Sequence, residues 1–406
     1  MENKRIINLT CLTFLLSACV FISLSLHLFN GDDDRFFGTA LENRTLFEFL
    51  DWRYHSWTGR MLIEGLMVLT INHNWYWMLA IPLSCLVVSF SIAVLSGHKN
   101  NLILSSSIIF ASLMLINHKV NMEAIWWITG SYNYIQPIAA GLLSIAIHLN
   151  CKEKFRLLKA LSFPLMFFSC FNEQFSVIVL IPYLFFYTII KRDVKLYNLS
   201  FSSLAVITTI FSLTAPGNKS RSMSETASWM PDYHNLNIID KIALGFDRLS
   251  SHLTEQNLIF TIFLIILCFM ALRKGNLNTL SVSAMLILSV KISTYFIFTR
   301  YSVYLNLFTH SDFLTFGEIA TPHSYLKYSL SLLILFSCIH LISIHCVKYS
   351  DVIFILLPFI LGIASVVVIG MSPTVYASGY RVLFIFNLSI IFVTSTLISK
   401  KFYNKI

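Results

Sequence analysis

Charge is the first thing this chain lacks. Only 12% of its 406 residues are Asp, Glu, Lys or Arg, about half the ~25% of a soluble domain. That deficit excludes a soluble enzyme, a disordered solvated chain and a nucleic-acid binder. Glycine (14) and proline (9) are also sparse, at about 3% and 2% against averages near 7% and 5%. A transporter that builds its binding site on Gly/Pro-interrupted helices is therefore disfavoured. No CxxC, His/Cys ligand spacing, Walker loop or GxGxxG occurs, so the signatures of a metal cluster and of nucleotide-driven chemistry are missing. The eight cysteines, at 11, 19, 85, 151, 170, 268, 338 and 346, avoid the outer loops predicted below and imply no disulfide framework. There is no low-complexity tract, appended soluble domain or internal repeat.

What the chain has instead is apolar surface. It is 56% hydrophobic and 15% aromatic, with 35 Phe and a mean hydropathy of +0.72. The expectation is an all-α polytopic membrane protein, one transmembrane domain over 1–406. Apolar runs long or nearly long enough to cross a ~30 Å core predict about twelve helices. They fall near 6–29, 76–96, 101–116, 132–150, 159–171, 174–190, 198–214, 254–272, 279–298, 324–345, 351–370 and 382–399. The first run is too long for a cleaved signal peptide and reads as a retained anchor. The short fifth and sixth read as a hairpin with Cys170–Gln174 at its tip.

Charge placement then gives orientation. With the N-terminus inside, the inner segments carry 16 Lys/Arg and four acids, a balance of +12, whereas the rest carries 13 basic and 16 acidic residues, or −3. This obeys the positive-inside rule, puts both termini in the cytoplasm, and assigns the basic pI to topology. Inner loops are short. The outer loops, 30–75, 117–137, 215–253, 299–323 and 371–381, are long and chemically crowded, which places the working surface outside.

Those loops hold the candidate chemistry. Asp32, Asp33 and Asp34 follow the first helix directly; adjacent carboxylates repel, which raises the pKa of one unless a cation or metal is near. Such a group can act as a general base, while a single Asp would serve equally as a helix cap. The next motif, Ser56-Trp57-Thr58-Gly59-Arg60, combines an aromatic face for a sugar or an interfacial belt with an Arg for a phosphate or for nearby Glu64. The run from Trp127 through Gly130, Ser131, Tyr132 and Asn133 to Tyr134 makes a turn into the fourth helix. Ala215-Pro216-Gly217-Asn218 is another turn, beside Lys219 and Arg221, and Ser378-Gly379-Tyr380-Arg381 closes the last loop. Two charges lie deeper. Glu173 sits at the hairpin tip and Lys291 inside the ninth helix, where an ionisable residue is functional by default or half of a buried ion pair.

In this order the motifs Asp32–Asp34, Ser56–Arg60, Trp127–Tyr134, Phe171-Asn172-Glu173 and Ala215–Asn218 resemble a family of bacterial polytopic proteins. That family includes serotype-converting O-antigen glucosyltransferases of phage and enterobacterial origin, and looks like the GT-C class. The resemblance touches segments from residue 30 to 381. It implies a catalytic acid in the first outer loop and an undecaprenyl-phosphate-linked glucose donor. It also implies an O-antigen or other glycan acceptor, a donor-synthesising partner transferase, a flippase, and a bacterial inner-membrane location.

Chemistry argued from the residues agrees with that expectation. Glycosyl transfer needs the acceptor hydroxyl deprotonated, and an Asp within ~2.6–3.2 Å supplies the base. The leaving lipid phosphate calls for cations, available as Arg60, Lys219, Arg221, Arg300 and Arg381. Trp57, Trp127, Tyr132, Asn133 and Glu173 complete the donor-site candidates. No cofactor or metal is required by a monophosphate leaving group with that many cations, though metal dependence stays open. One carboxylate base and direct displacement give inversion. An O-antigen polymerase or other lipid-glycan enzyme, and a secondary transporter or flippase, are the competing readings.

Overall fold

A computed structural model describes residues 2–29, 31–98, 100–151, 155–191, 195–275, 277–298 and 322–403. Every regular element among them is helical. In chain order the helices are α1 (Glu2–Ser25), a π-turn (Asp32–Phe37), α2 (Leu46–Ser56), α3 (Met61–Thr70), α4 (Asn74–Leu95) and α5 (Leu102–Met114). Then come α6 (His118–Trp126), α7 (Ile128–Asn133), α8 (Ile135–Asn150), α9 (Arg156–Ser169), α10 (Glu173–Ile189), α11 (Leu196–Leu213) and α12 (Pro216–Trp229). The rest are α13 (Ile238–Thr254), α14 (Leu258–Lys274), α15 (Thr279–Phe298), α16 (Pro322–Ser343), α17 (Tyr349–Met371) and α18 (Phe384–Tyr403).

The described residues are all helical, as a polytopic membrane protein requires, and they account for seven to ten of the roughly twelve spans expected. Among the described residues, seven helices are long and apolar enough to cross a membrane, or ten if each of three sharply bent pairs counts as one span. The pairs bend by 99° between α5 and α6, 113° between α9 and α10, and 78° between α13 and α14. At 1.5 Å per residue the 13 residues of α5 reach only ~20 Å, short of a ~30 Å core.

The segments expected between spans carry helices of their own. Segment 30–75 holds the π-turn, α2 and α3, and segment 215–253 is nearly all helix. Hydropathy misses these helices because they are polar or two-faced or, like the apolar α3, too short for a span, while their local signals are ordinary. Pro216 opens α12, where a missing N–H costs nothing. Asn237 and Asp240 form a reciprocal capping box at the start of α13. The 299–323 segment, with Arg300, lies almost wholly outside the described residues.

The chain divides into two compact units, Met1–Met114 with His118–Ser224, and Leu115–Asn117 with Glu225–Ile406. In the first, α4 packs between α1, α5 and α8, and α9 lies along α8. Buried serines make these contacts close. Ser84 and Ser89 return their hydroxyls to carbonyls four residues back, and Ser144 donates across to the Ser162 carbonyl at 2.6 Å, as expected where small residues replace bulky ones between apolar helices. In the second unit α18 is the central helix, nearly nine-tenths buried over 381–399 and packed on α14 and α17.

Alternation of the helices fixes which ends meet in the first unit. α1, α5, α9 and α11 finish where α4, α8 and α10 begin. At the opposite end Lys4 Nζ donates to the Asn100 carbonyl at 2.9 Å.

Candidate functional site

At the end of the first unit where α1 finishes, five separate segments meet. The centre is Arg60, which precedes α3. Its Nε donates to Glu173 Oε2 at 2.7 Å, and its Nη1 to Asn133 Oδ1 at 3.0 Å. Glu173 Oε1 accepts from Ser212 Oγ at 3.1 Å. Asn172 donates to the Asn133 carbonyl at 2.6 Å and caps α10 by accepting from the Phe175 N–H at 2.7 Å. Burial opposes the guanidinium charge of Arg60, but the Glu173 carboxylate, Tyr134 and the Glu173 hydrogen bond outweigh it and hold the pKa above its ordinary value.

Two glycines let the backbones come this close. A Cβ on Gly59 would lie 2.0 Å from the Ser212 carbonyl oxygen, and one on Gly217 would lie 2.3 Å from the Trp57 nitrogen. Only a hydrogen fits at either contact. Asn218 then binds the Ser212 carbonyl at 2.8 Å, securing the turn from α11 into α12.

The short helix α7 links this centre to the acidic motif. Asn133, at its end, donates to the Thr129 carbonyl at 2.9 Å. Thr129, near its start, gives its N–H to Asp33 Oδ1 at 2.9 Å. Asp33 is 0% exposed, and its Oδ2 accepts the Phe29 N–H at 3.0 Å. Both oxygens of this carboxylate therefore hold backbone in place. Asp34 is half-buried and accepts the Gly31 N–H at 2.7 Å, and Asp32 is exposed. Tyr132 is buried, with its hydroxyl 2.7 Å from Thr70 Oγ1 and its ring stacked on Tyr76 at 5.8 Å. Burial, with the nearby Tyr76 and Asp33, pushes its phenol well up and keeps it neutral.

The expected residues thus separate by position. Arg60, Asn133 and Glu173 form one cluster, with Asp33 and Tyr132 attached through α7, and Trp57 borders it through its backbone. Trp127 is half-buried where α6 gives way to α7. On α12, Lys219 is exposed and Arg221 half-buried. Arg381 belongs to the second unit, at the start of a short helix Arg381–Leu383. Arg300 lies outside the described residues. Glu64, considered as a partner for Arg60, instead forms a buried two-pronged pair with Arg53, both bonds 2.6 Å. No three His, Cys, Asp or Glu side chains among the described residues gather to hold a metal ion.

A second polar network, missed by sequence reasoning, sits in the second unit along one face of α13. Asp247 Oδ1 accepts from Lys327 Nζ at 2.7 Å and from the Tyr328 hydroxyl at 3.1 Å, and Oδ2 accepts from the Tyr376 hydroxyl at 2.8 Å. Lys327 also donates to Ser251 at 2.8 Å. One turn further, His252 meets Glu255, Asn257 and Asn387. Lys291 donates to the carbonyls of Thr254 (2.9 Å) and Glu255 (3.2 Å), the unsatisfied C-terminal groups at the α13–α14 bend. That explains a lysine inside an apolar helix. Lys291 is the one member of this network that the sequence singles out. Comparison with protein-family models, curated proteins and solved structures gives no match for this chain.

Proposed function

We propose that the chain is a membrane glycosyltransferase of the GT-C kind. It moves a hexose, glucose by the resemblance, from undecaprenyl phosphate to an O-antigen or other lipid-linked glycan at the periplasmic face of a bacterial inner membrane. Both termini are cytoplasmic in this reading. The observation that carries it is the meeting of five sequence-distant motifs at Arg60, Glu173, Asn133 and Asp33. A purely structural polar contact needs two partners, and five segments with two glycine close approaches describe an assembled site.

The geometry suggests a division of labour. Asp33, with both oxygens on backbone amides, is a positioning residue. Asp34, half-buried with Oδ1 held by Gly31, is the base. It takes the acceptor hydroxyl proton as the new bond to the anomeric carbon forms, and the bond to the lipid phosphate breaks with its electrons leaving on phosphate oxygen. Opposite-face attack inverts the anomeric centre. Arg60 is already neutralised by Glu173, so it orients Asn133 and α7, and the departing phosphate falls to Lys219 and Arg221. Reconstitution with undecaprenyl-phosphate glucose and an O-antigen acceptor tests the reading. Hexose transfer with inversion supports it, and an intact donor with an unmodified acceptor overturns it.

A transporter is the reading favoured by the three broken helix pairs, because discontinuous helices are how transporters build binding sites. Solute uptake by vesicles without any glycan modification would select it.

A further inference from the structure

Among the described residues, four deeply placed cations each meet a carboxylate or two carbonyls. Arg53 faces Glu64, Arg60 faces Glu173, and Lys327 faces Asp247. Lys291 faces the carbonyls at the α13–α14 bend. Arg248 breaks the pattern. It is half-buried on α13, and no carboxylate among the described residues lies within ion-pair distance of it. Its neighbour Asp247 is committed to Lys327, Tyr328 and Tyr376.

What Arg248 does touch leaves it able to take an anion. Nη2 donates to the Gly379 carbonyl at 2.7 Å, and the Tyr380 ring lies 4.7 Å from the guanidinium carbon. Gly379 has φ +68°, a left-handed turn that favours glycine. Nε is buried with no hydrogen-bond partner. An orphaned buried donor is destabilising, so a guanidinium kept with one carbonyl, one ring and no counter-ion points to a ligand. Stacked on an aromatic face, its planar fork suits bidentate oxyanion recognition.

We propose that Arg248, with Tyr380 and the 378–380 turn, binds a phosphate group. Phosphate is favoured because the site lies where α14, α16 and α18 begin, beside tyrosines of the kind that sit at headgroup level. The anion concentrated there is phosphate, borne by a lipid or free in solution. This site is separate from the cations assigned to sugar transfer and does not rest on the transferase reading.

The test uses the full chain in a neutral detergent, titrated with undecaprenyl phosphate and, separately, inorganic phosphate, with the shift in melting temperature as the binding readout. Wild type should bind undecaprenyl phosphate, and R248Q should bind at least about tenfold more weakly. R248K, which keeps the charge and loses the fork, should fall between them. Binding of inorganic phosphate with the same dependence on Arg248 identifies any phosphate as the ligand; binding of the lipid alone identifies a headgroup site. Melting without ligand reports folding, and if R248Q is unfolded, R248K alone decides. Equal affinity in the folded variants and wild type, or no binding by wild type, overturns the proposal. Because undecaprenyl phosphate would also fit the cations assigned to sugar transfer, each titration is repeated with K219Q/R221Q as the parent protein. Dependence on Arg248 should persist there, so this result and that of the transferase assay can fail independently.

Discussion

The two polar networks use similar residues in different ways. In the first unit Arg60, Glu173 and Asn133 come from separate segments at the ends of helices, and their contacts depend on glycine-permitted backbone approach. In the second, Asp247, Ser251, His252 and Glu255 share one helix face, with Lys327 and Lys291 reaching it from neighbouring helices. The Arg60–Glu173 pair keeps partial exposure, 22% and 15% of the side chains, while Lys327 and Asp247 are each 4% exposed. A charge pair near solvent can meet a substrate. One sealed by two tyrosines holds helices together, and its neighbour Arg248, with no carboxylate partner among the described residues, is the group proposed to bind.

That contrast breaks first at Asp247. Asp247→Ala strands the Lys327 ammonium in an apolar interior and should cost about 3–5 kcal/mol. Unfolding of the purified protein in detergent measures it, and a loss below ~1 kcal/mol would mean that the pair is not buried as described. Gly59→Ala tests the other network through packing. Its methyl group would enter the space of the Ser212 carbonyl, and about 1–3 kcal/mol of overpacking strain is expected, together with loss of sugar transfer. Unchanged melting would show that α11 and the Arg60 turn are not in contact.

Glu173→Gln is milder. It keeps the shape and removes the charge opposite Arg60, for a cost of about 1–2 kcal/mol, and transfer should fall more than stability does. If both fall in proportion, the pair is structural only.

Much of the helical framework was legible in the sequence because little-buried helices such as α1 and α15 are apolar over most of their length. The helices at 216–229 and 238–254 were not, since polar residues lower their hydropathy below that of a span. At the site, the motifs were visible but their pairing was not. Glu64 lies four residues from Arg60, yet geometry gives Glu64 to Arg53 and brings Glu173 from 113 residues away. Burial of the central aspartate of three was equally hidden, because it follows from where Thr129 docks. The Asp247–Lys327 pair spans 80 residues, with no motif at either end.

The smallest effect concerns pH. Glu48 caps α2, where the backbone N–H and then the hydroxyl of Thr45 hold its carboxyl below its usual pKa. A lowered folded pKa means that stability is present above the unfolded value, ~4.3, and is lost as pH falls through the folded value. Thr45→Ala removes the hydroxyl and keeps the backbone N–H, so it should flatten that acid limb of the melting curve slightly; an unchanged limb would show that the hydroxyl contributes nothing.

The most direct test of the first-unit site as a site of sugar transfer is Asp34→Asn in the reconstituted assay, run beside wild type at matched amounts of folded protein. The amide preserves shape and the acceptor for the Gly31 N–H, so melting should be nearly unchanged while transfer falls about 10²–10⁴-fold. Transfer at the wild-type rate by the Asp34→Asn protein would contradict the account.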